Sequence, residues 1–298
     1  IRSGMPISQA WRLCPDAVYL PPNFPLYIQV SREIMAIARK YADKFEQWGI
    51  DEVFLDVTNR VKDWADAEAL ARQIKQEIKA KERLTASIGV GPNKLIAKVA
   101  SDFQKPDGLT VVREEDAEKF LAPLAVRKLL WVGRKTEAKL KALGINTIGD
   151  LARYNPTVLS SMFGVMGLQM HLSARGLDRS EVEERVGVKS VSHETTFEED
   201  TADSDAILQA LDSLCVEVQK ETAEQKLLFK TVSIKIRYQG FETHTKAKTL
   251  PRLTNRVEDL KKTARELLLP YLDVDRKIRL IGVRVSSLVS CEKQKTLF

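Results

Sequence analysis

The stretch SIGVGPNKLIAKVASDFQKPDG, residues 87 to 108, joins an apolar strand to an amphipathic helix and a tight turn. The strand belongs to an apolar run over 84 to 91, which ends in glycine. Asn93 is a residue type that caps helices, so we predict a helix over 93 to 103. The turn KPDG then leads to a second apolar run, LTVV, at 109 to 112. A strand, a helix and a strand in this order predict a sheet covered by helices.

Three lysines, Lys94, Lys98 and Lys105, are spaced so that this helix and the turn after it can present them on one side. The N-terminus of a helix also favours anions. This side of the helix therefore predicts a site for a triphosphate. An amphipathic helix that carries lysines without any ligand is the common alternative.

Two adjacent carboxylates, Asp51 and Glu52, stand where the apolar run of GIDEVFLDVT, residues 49 to 58, begins. Like charges at contact distance repel, and desolvation makes each charge less favourable, so either solvent or a cation must relieve the cost. Neighbouring residues on a regular strand point to opposite faces, but Gly49 permits a bend that brings both carboxylates to one site. Carboxylate oxygens are ligands that suit Mg²⁺. The common alternative is a solvated polar turn.

Helical periodicity predicts two further helices in the first half of the chain, over residues 24 to 46 and 65 to 81, with VFLDV as a short strand between them. The predicted elements from 114 to 180 are short helices. Strands then return, and helices over 203 to 224 and 253 to 269 lie between them. This order predicts a second, smaller α+β domain.

The chain of 298 residues is 44% hydrophobic and 30% charged, which is an ordinary globular composition and long enough for two or three domains. Its net charge of +6 permits a polyanionic partner. Cys14, Cys215 and Cys291 lie far apart without a CxxC pair, which argues against a zinc site and a disulfide framework and favours a reducing, cytoplasmic location. No apolar run approaches the length of a membrane span, so we expect no membrane association.

The segment LLWVGRKTEAKLKALGINTIGDLA, residues 129 to 152, predicts a helix, a tight turn at Gly133 and another helix. A second turn of this kind is predicted at MFGVMG, residues 162 to 167. A glycine turn lets backbone N–H groups approach a phosphate, which is the helix-hairpin-helix arrangement for DNA binding without sequence preference. Lys135 and Thr136 follow the first turn and are candidate DNA contacts together with Gly133.

Charge is unevenly distributed in the last third of the chain. Residues 194 to 224 hold ten acidic side chains and one basic, whereas residues 226 to 284 hold fifteen basic and six acidic. The basic half predicts a surface that faces a polyanion. On charge alone, a solvated sheet edge that uses lysine to prevent strand pairing is an equal alternative. The candidate DNA contacts in the basic half are Thr243, Thr245, Lys246, Lys248, Arg279 and Arg284.

Taken in order, these motifs resemble those of the Y-family translesion DNA polymerases of the archaeal and bacterial DNA polymerase IV type. GIDEVFLD is similar to the second catalytic motif of that family, and SIGVGPNKLIAKVASDFQKPDG is similar to its most distinctive signature. The resemblance implies an α+β, multidomain right-hand polymerase. Its parts would be partial fingers (1–22), a ferredoxin-like palm (23–112), a helical thumb with the helix-hairpin-helix (113–182), a linker (183–190), a βαββαβ little finger (191–290) and a flexible tail (291–298).

The resemblance implies a template-directed, error-prone DNA polymerase that bypasses lesions and adds deoxynucleotides to a primer 3′ end. It further implies two Mg²⁺ ions as cofactors, primer-template DNA and deoxynucleoside triphosphates as partners, and a monomer. Asp51 and Glu52 would bind metal and act in catalysis, and Lys105 would contact the incoming triphosphate. The residues against the nascent base pair would be Ser3, Gly4, Met5 and Pro6.

The family pattern also contains an N-terminal metal-binding aspartate followed by an aromatic residue that excludes ribonucleotides, and IRSGMPISQA matches neither. We therefore expect the residues as given to form an N-terminally truncated polymerase without that aspartate. Gly49 and Val53 replace a serine and an alanine, and Trp131 stands where a hairpin glycine is common. The alternative function is a catalytically inactive DNA-binding fragment that is tethered to a sliding clamp.

The C-terminal sequence QKTLF resembles the start of the peptide that docks on sliding clamps. Gln294 and Leu297 fit that pattern, whereas Phe298 follows the leucine by one place and is out of register. The prediction is a sliding clamp as a partner, and a frayed polar terminus is the alternative.

Overall fold

The structure, a computed structural model, describes residues 1–184, 187–272 and 276–291. It divides into two compact units, an N-terminal unit over residues 1–185 and a C-terminal unit over residues 186–298. Each unit has its own hydrophobic core. Within the described ranges, none of the helices has the length and apolar character needed to cross a membrane.

The first part of the N-terminal unit combines two small sheets with four helices. Its elements are α1 (Ile7–Leu13), α2 (Phe24–Arg39), β1 (Lys44–Gln47), β2 (Val53–Asp56), α3 (Trp64–Glu82), β3 (Ile88–Val90), α4 (Lys94–Ser101) and β4 (Leu109–Val111). Strands β1 and β2 form an antiparallel hairpin, and β3 pairs in parallel with β4. Ile37 of α2 packs against Ile74 and Ile78 of α3, and this core lies beneath the strands.

The prediction of one helix over residues 24 to 46 was wrong at its C-terminal end. The helix α2 ends at Arg39, and residues 44–47 form β1. Ala42 and Phe45 have helical spacing. The chain turns back after α2, however, and this turn packs both residues against Met35 and Ala38 of that helix. The burial of Phe45 therefore comes from the hairpin and not from a longer helix.

The second part of the N-terminal unit is helical. Its helices are α5 (Ala117–Leu121), α6 (Arg134–Ala142), α7 (Ile148–Arg153), α8 (Pro156–Phe163) and α9 (Val165–Ala174). The side chains of Leu140, Ile148 and Leu159 are fully buried in a core that α4 shares through Ile96. This shared core fixes α4, and the lysines that it carries, against the helical part.

The two predicted glycine turns have different surroundings. Gly164, with φ of 63°, separates α8 from α9 as predicted. The predicted helix before Gly133 is absent, because only a single 3₁₀ turn, Val126–Lys128, precedes it. Leu129 and Val132 are buried on either side of an exposed Trp131, so these residues anchor a loop.

The C-terminal unit has the predicted βαββαβ order. Its elements are β5 (Ser190–Thr201), α10 (Ser204–Glu224), β6 (Leu227–Tyr238), β7 (Thr243–Thr254), α11 (Val257–Leu268), β8 (Ile278–Ser286) and the short β9 (Val289–Ser290). The sheet order is β5-β8-β6-β7, so β7 lies at one edge. Along β6, Val232, Ile234 and Ile236 alternate with less buried polar residues and face the core beneath α10 and α11.

The three cysteines differ in environment. Cys215 of α10 is fully buried in the core of the C-terminal unit, and burial raises the pKa of its thiol to about 12. Cys14 and Cys291 are exposed. All three are free thiols.

Candidate active site and nucleic-acid interface

Asp51 and Glu52 lie in the turn that connects β1 to β2. The backbone N–H groups of Trp48 and Gly49 donate hydrogen bonds of 2.9 and 3.2 Å to the carbonyl oxygen of Glu52. The chain is bent at this point, so the two carboxylates are not constrained to opposite faces of a pleated strand. Asp51 is exposed, and the side chain of Glu52 is 42% exposed.

Both carboxylates line a cleft of about 1280 Å³ between β2, β3, α3 and α4. Lys98 and Lys105 line the same cleft. The Nζ atom of Lys98 lies 2.6 Å from Oε1 of Glu52 and 3.7 Å from Oδ2 of Asp102. The structure thus brings together the carboxylate pair and all three lysines that the sequence singled out, since Lys94 also lines the cleft.

Lys105 belongs to the same charge network. Its Nζ atom lies 2.5 Å from Oδ1 of Asp102, and its side chain is 53% exposed. Asp102 raises the pKa of Lys105 above its ordinary value, and Glu52 and Asp51 add to the effect. The ammonium group is therefore charged throughout the neutral range and accessible from the cleft.

Lys94 has a different environment from the other two lysines. Its Nζ atom lies 2.8 Å from Oε2 of Glu46, and the two side chains are only 17% and 7% exposed. The backbone N–H of Glu183 donates to the same carboxylate. Lys94 therefore ties α4 to β1, although it lines the same cleft as Lys98 and Lys105. A triphosphate that all three lysines face stays a prediction.

Lys75 of α3 is a site feature that the sequence reasoning missed. Its Nζ atom lies 2.6 Å from Oδ1 of Asp107 and also donates to the carbonyl oxygens of Asp107 and Gly108. With an exposure of 16%, Lys75 fastens the KPDG turn to α3. The signal was its place beside the buried residue Ile74, on a helix whose other lysines face solvent.

The residues predicted to lie against a base pair are not part of the cleft lining. Gly4 adopts a φ of 76° in a turn before α1, and Met5 and Pro6 follow it. None of Ser3, Gly4, Met5 and Pro6 lines the cleft. Their predicted contact with the nascent base pair stays a prediction.

The metal-binding capacity of the cleft rests on few donors. Across the described ranges, no group of three or more His, Cys, Asp or Glu side chains is arranged to hold a metal ion. Asp51 and Glu52 supply hard oxygen donors at one position of the cleft. Mg²⁺ commonly uses one or two carboxylates together with substrate phosphates, so two carboxylates suffice for a partial site.

The turn at Gly133 presents backbone to solvent. Gly133 precedes α6, and a Cβ atom built on it would meet nothing within 4 Å. Lys135 is exposed and Thr136 is half-buried in the first turn of that helix. This surface is open to a phosphate.

The sheet of the C-terminal unit separates the predicted DNA contacts between its two faces. By register, Thr243 and Thr245 lie opposite Arg237 and Lys235, and Arg284 lies opposite Ser233. These residues share the face that α10 and α11 leave open.

The two predicted lysine contacts lie on the other face. Lys246 and Lys248 lie opposite Ile234 and Val232, on the face that the helices cover, and Lys248 pairs with Glu266 of α11 at 2.6 Å. The sequence predicted that the four residues of β7 form one surface, but the register divides them between the two faces of the sheet.

Arg279 occupies a third environment. Its guanidinium lies 3.3 Å from Asp200 and 5.0 Å from the ring centre of Phe241. Arg279 is therefore engaged within the unit. The predicted clamp contacts Gln294, Leu297 and Phe298 lie outside the described residues.

Three profiles of known protein families match successive parts of the chain. The profile of the impB/mucB/samB family matches residues 1–102, that of the C-terminal domain of the same family matches residues 188–297, and that of the DNA polymerase-iota thumb domain matches residues 129–178.

A DNA polymerase IV of Methanoculleus marisnigri is 46% identical over 298 residues, which cover 100% of this chain and 82% of that protein. A Y-family DNA polymerase chimera of Dbh and Dpo4 superposes with a TM-score of 0.90 at 31% identity and covers 97% of this chain and 84% of the other. A structure described as an insertion ternary complex of Dbh DNA polymerase gives a TM-score of 0.66 at 30% identity, over 97% and 84% of the two chains. The sequence motifs, the fold and these matches agree, and the chain belongs to the Y family of DNA-directed DNA polymerases, in its DNA polymerase IV, or DinB-like, group.

Proposed function

We propose that the cleft beside Asp51 and Glu52 is where the protein adds deoxynucleotides to the 3′ end of a primer, directed by a template. The observation that carries this proposal is the meeting of two carboxylates with the ammonium groups of Lys98 and Lys105 in one cleft. Phosphoryl transfer depends mainly on positioning and on stabilising charge, and this combination of groups can supply both.

Asp51 and Glu52 are the residues that would hold Mg²⁺, because their oxygens are hard donors and both line the cleft. Bound Mg²⁺ would supply charge stabilisation to the phosphates and would activate the attacking hydroxyl. The carboxylates themselves would orient the cation, and they keep the turn negative. The described residues leave further coordination positions to substrate phosphates.

In this proposal, Lys98 and Lys105 bind the triphosphate of the incoming nucleotide. Their ammonium groups face the phosphates of the incoming deoxynucleoside triphosphate, so that negative charge that passes to the pyrophosphate is neutralised. Lys105 is the more exposed of the two, which suits it to direct contact. Lys98 lies closer to Glu52 and orients that carboxylate.

DNA binding is proposed for two surfaces, one in each unit. The first is the turn at Gly133 with Lys135 and Thr136, where exposed backbone N–H groups can meet a phosphate. The second is the open face of the C-terminal sheet. Its candidate contacts are Lys235, Arg237, Thr243, Thr245 and Arg284. Contacts of this kind hold the duplex without reading its sequence, which fits a polymerase of the lesion-bypassing class.

Primer extension by charge-neutral variants of the full-length protein tests the proposal. Asp51→Asn and Glu52→Gln keep the shape of the side chains, so we expect each to lower the rate of nucleotide addition by at least about 100-fold while duplex binding stays within about twofold. Glu115→Gln, an exposed carboxylate that does not line the cleft, is the matched control.

Extension at the wild-type rate by either variant would remove the cleft from consideration as the reaction site. A wild-type protein that binds duplex DNA and extends no primer would instead support the non-catalytic, DNA-binding alternative.

A further inference from the structure

Trp131 has a backbone conformation that disfavours its side chain. Its φ is 71°, which lies in the left-handed region where glycine is at ease and a bulky residue is an outlier. The side chain is also 67% exposed, so burial of the indole contributes little that could offset this conformation. A bulky, exposed residue at a position that favours glycine suggests that its side chain makes a contact that offsets the unfavourable backbone conformation.

The indole of Trp131 makes one specific aromatic contact. It meets the ring of Trp48 edge-on, with 5.9 Å between ring centres. Trp48 in turn lies 5.1 Å from the ring of Phe54 in β2. Aromatic pairs at such separations prefer edge-to-face and tilted arrangements, and these contacts constrain the orientation of the central ring.

Trp48 is part of the turn that carries the carboxylates. Its backbone N–H donates to the carbonyl oxygen of Glu52, and the N–H of the next residue, Gly49, donates to the same oxygen. A displacement of Trp48 would therefore be passed to Asp51 and Glu52. Trp131 reaches this turn from the loop before α6, which is anchored in a different core by Leu129 and Val132.

We propose that Trp131 is a positioning residue that holds the turn of Asp51 and Glu52 in place from the helical part of the same unit. The role in catalysis rests on the proposed function, whereas the mechanical role does not. The contact through which Trp131 would act is its edge-on packing against Trp48.

Three substitutions separate the ring from the backbone. Trp131→Gly removes the ring and suits the positive φ, Trp131→Ala removes the ring and keeps the unfavourable φ, and Trp131→Phe keeps an aromatic ring. Hydrogen exchange at the amides of Trp48 and Gly49 reports the turn without any substrate. We expect exchange about tenfold faster in the glycine and alanine variants and within about twofold of wild type in the phenylalanine variant, while amides of α3 are unchanged.

The kinetic readout distinguishes positioning from binding. In Trp131→Gly we expect kcat to fall about tenfold, with the KM for nucleotide and the Kd for DNA within about twofold, because the reacting groups are misplaced and not lost. Trp131→Phe should retain most of kcat. Because glycine suits the backbone, Trp131→Gly should melt no lower than Trp131→Ala.

Unchanged exchange at Trp48 and Gly49 in Trp131→Gly would overturn the inference, and so would faster exchange with an unchanged kcat in an active polymerase. Weaker DNA binding with unchanged exchange would reassign the exposed ring to DNA contact. If the wild-type protein extends no primer, the exchange data still decide whether Trp131 holds the turn, and only the proposed function fails.

Discussion

The ammonium group of Lys98 lies 2.6 Å from a carboxylate oxygen of Glu52, although 46 residues separate them in the chain. The lysine side chain is 17% exposed, so the pair is partly shielded from solvent. Helix α4 thus delivers a cation to the carboxylate turn. The relative placement of α4 and the β1–β2 hairpin therefore determines how Glu52 is oriented.

Lys98→Met should lower kcat/KM for nucleotide addition by at least about tenfold, because Glu52 loses its cationic neighbour and the cleft loses positive charge. Single-nucleotide incorporation at saturating DNA measures this effect. Lys119→Met, on the exposed side of α5, is the matched control and should retain wild-type kinetics. An active Lys98→Met variant with unchanged kcat/KM would contradict the role of this pair.

Lys105→Ala should raise the KM for the incoming nucleotide more than it raises the Kd for DNA. Asp102 raises the pKa of Lys105 above 10.5, so the ammonium is fully charged at pH 7 to 9 and its contribution should not vary over that range. Incorporation kinetics at several pH values, alongside a DNA-binding titration, measure both effects. If only duplex binding weakened, Lys105 would instead be a DNA contact.

Arg284→Ala should weaken duplex binding and reduce the slope of log K against log salt by about 0.9, because one phosphate contact on the open face of the sheet is lost. Lys248→Ala is the matched comparison, since Lys248 lies on the helix-covered face and already pairs with Glu266. Titrations at several salt concentrations measure both slopes. Equal losses in the two variants would show that the faces do not differ in their role.

Glu77→Gln should destabilise the N-terminal unit near neutral pH. Lys40 and Lys81, with Tyr41, donate hydrogen bonds to Glu77 and lower the pKa of its carboxyl from 4.5 to about 2. A lowered folded-state pKa stabilises the fold above pH 4.5, and this contribution is lost as the pH falls towards 2. The difference in Tm between wild type and variant should therefore shrink over that window. A difference that is independent of pH would point to packing instead of charge.

A peptide of residues 288 to 298 should bind a sliding clamp weakly, because Gln294 and Leu297 fit the clamp-binding pattern and Phe298 does not fall in register. Weak tethering raises the effective concentration of a polymerase at the primer. Titration of an archaeal or bacterial clamp tests this beside a peptide with all three residues changed to alanine. Equal affinities, or no binding by either peptide, would remove the clamp as a partner.

The sequence predicted the order of the elements correctly where the apolar periodicity of a segment agrees with its burial in the structure. The helices predicted over 203 to 224 and 253 to 269, with strands around them, are present as α10 and α11, and the βαββαβ order that the resemblance implied is the order of the C-terminal unit. The strand β1 was missed because the helical periodicity of α2 was extended beyond Arg39, where the helix ends. The spacing of apolar residues cannot distinguish a longer helix from a strand when the strand is buried by a hairpin that it forms with residues later in the chain.

The site was only partly predictable for a related reason. Asp51 and Glu52 adjoin each other in sequence, so their proximity needed no tertiary information. The pairing of Lys98 with Glu52, and of Lys94 with the buried Glu46, depends on how α4 packs against the β1–β2 hairpin. The separation of Thr245 from Lys246 on β7 was available from the two-residue period of a strand, which the sequence reasoning did not apply there.

The burial of Cys215 leaves one reactive thiol in each unit. A pKa of about 12 keeps Cys215 protonated and unreactive, whereas Cys14 in the N-terminal unit and Cys291 in the C-terminal unit are exposed. Within these 298 residues, maleimide dyes should therefore label Cys14 and Cys291 and leave Cys215 unlabelled. A donor and an acceptor placed there would report the distance between the two units by energy transfer, both free in solution and after addition of primer-template DNA.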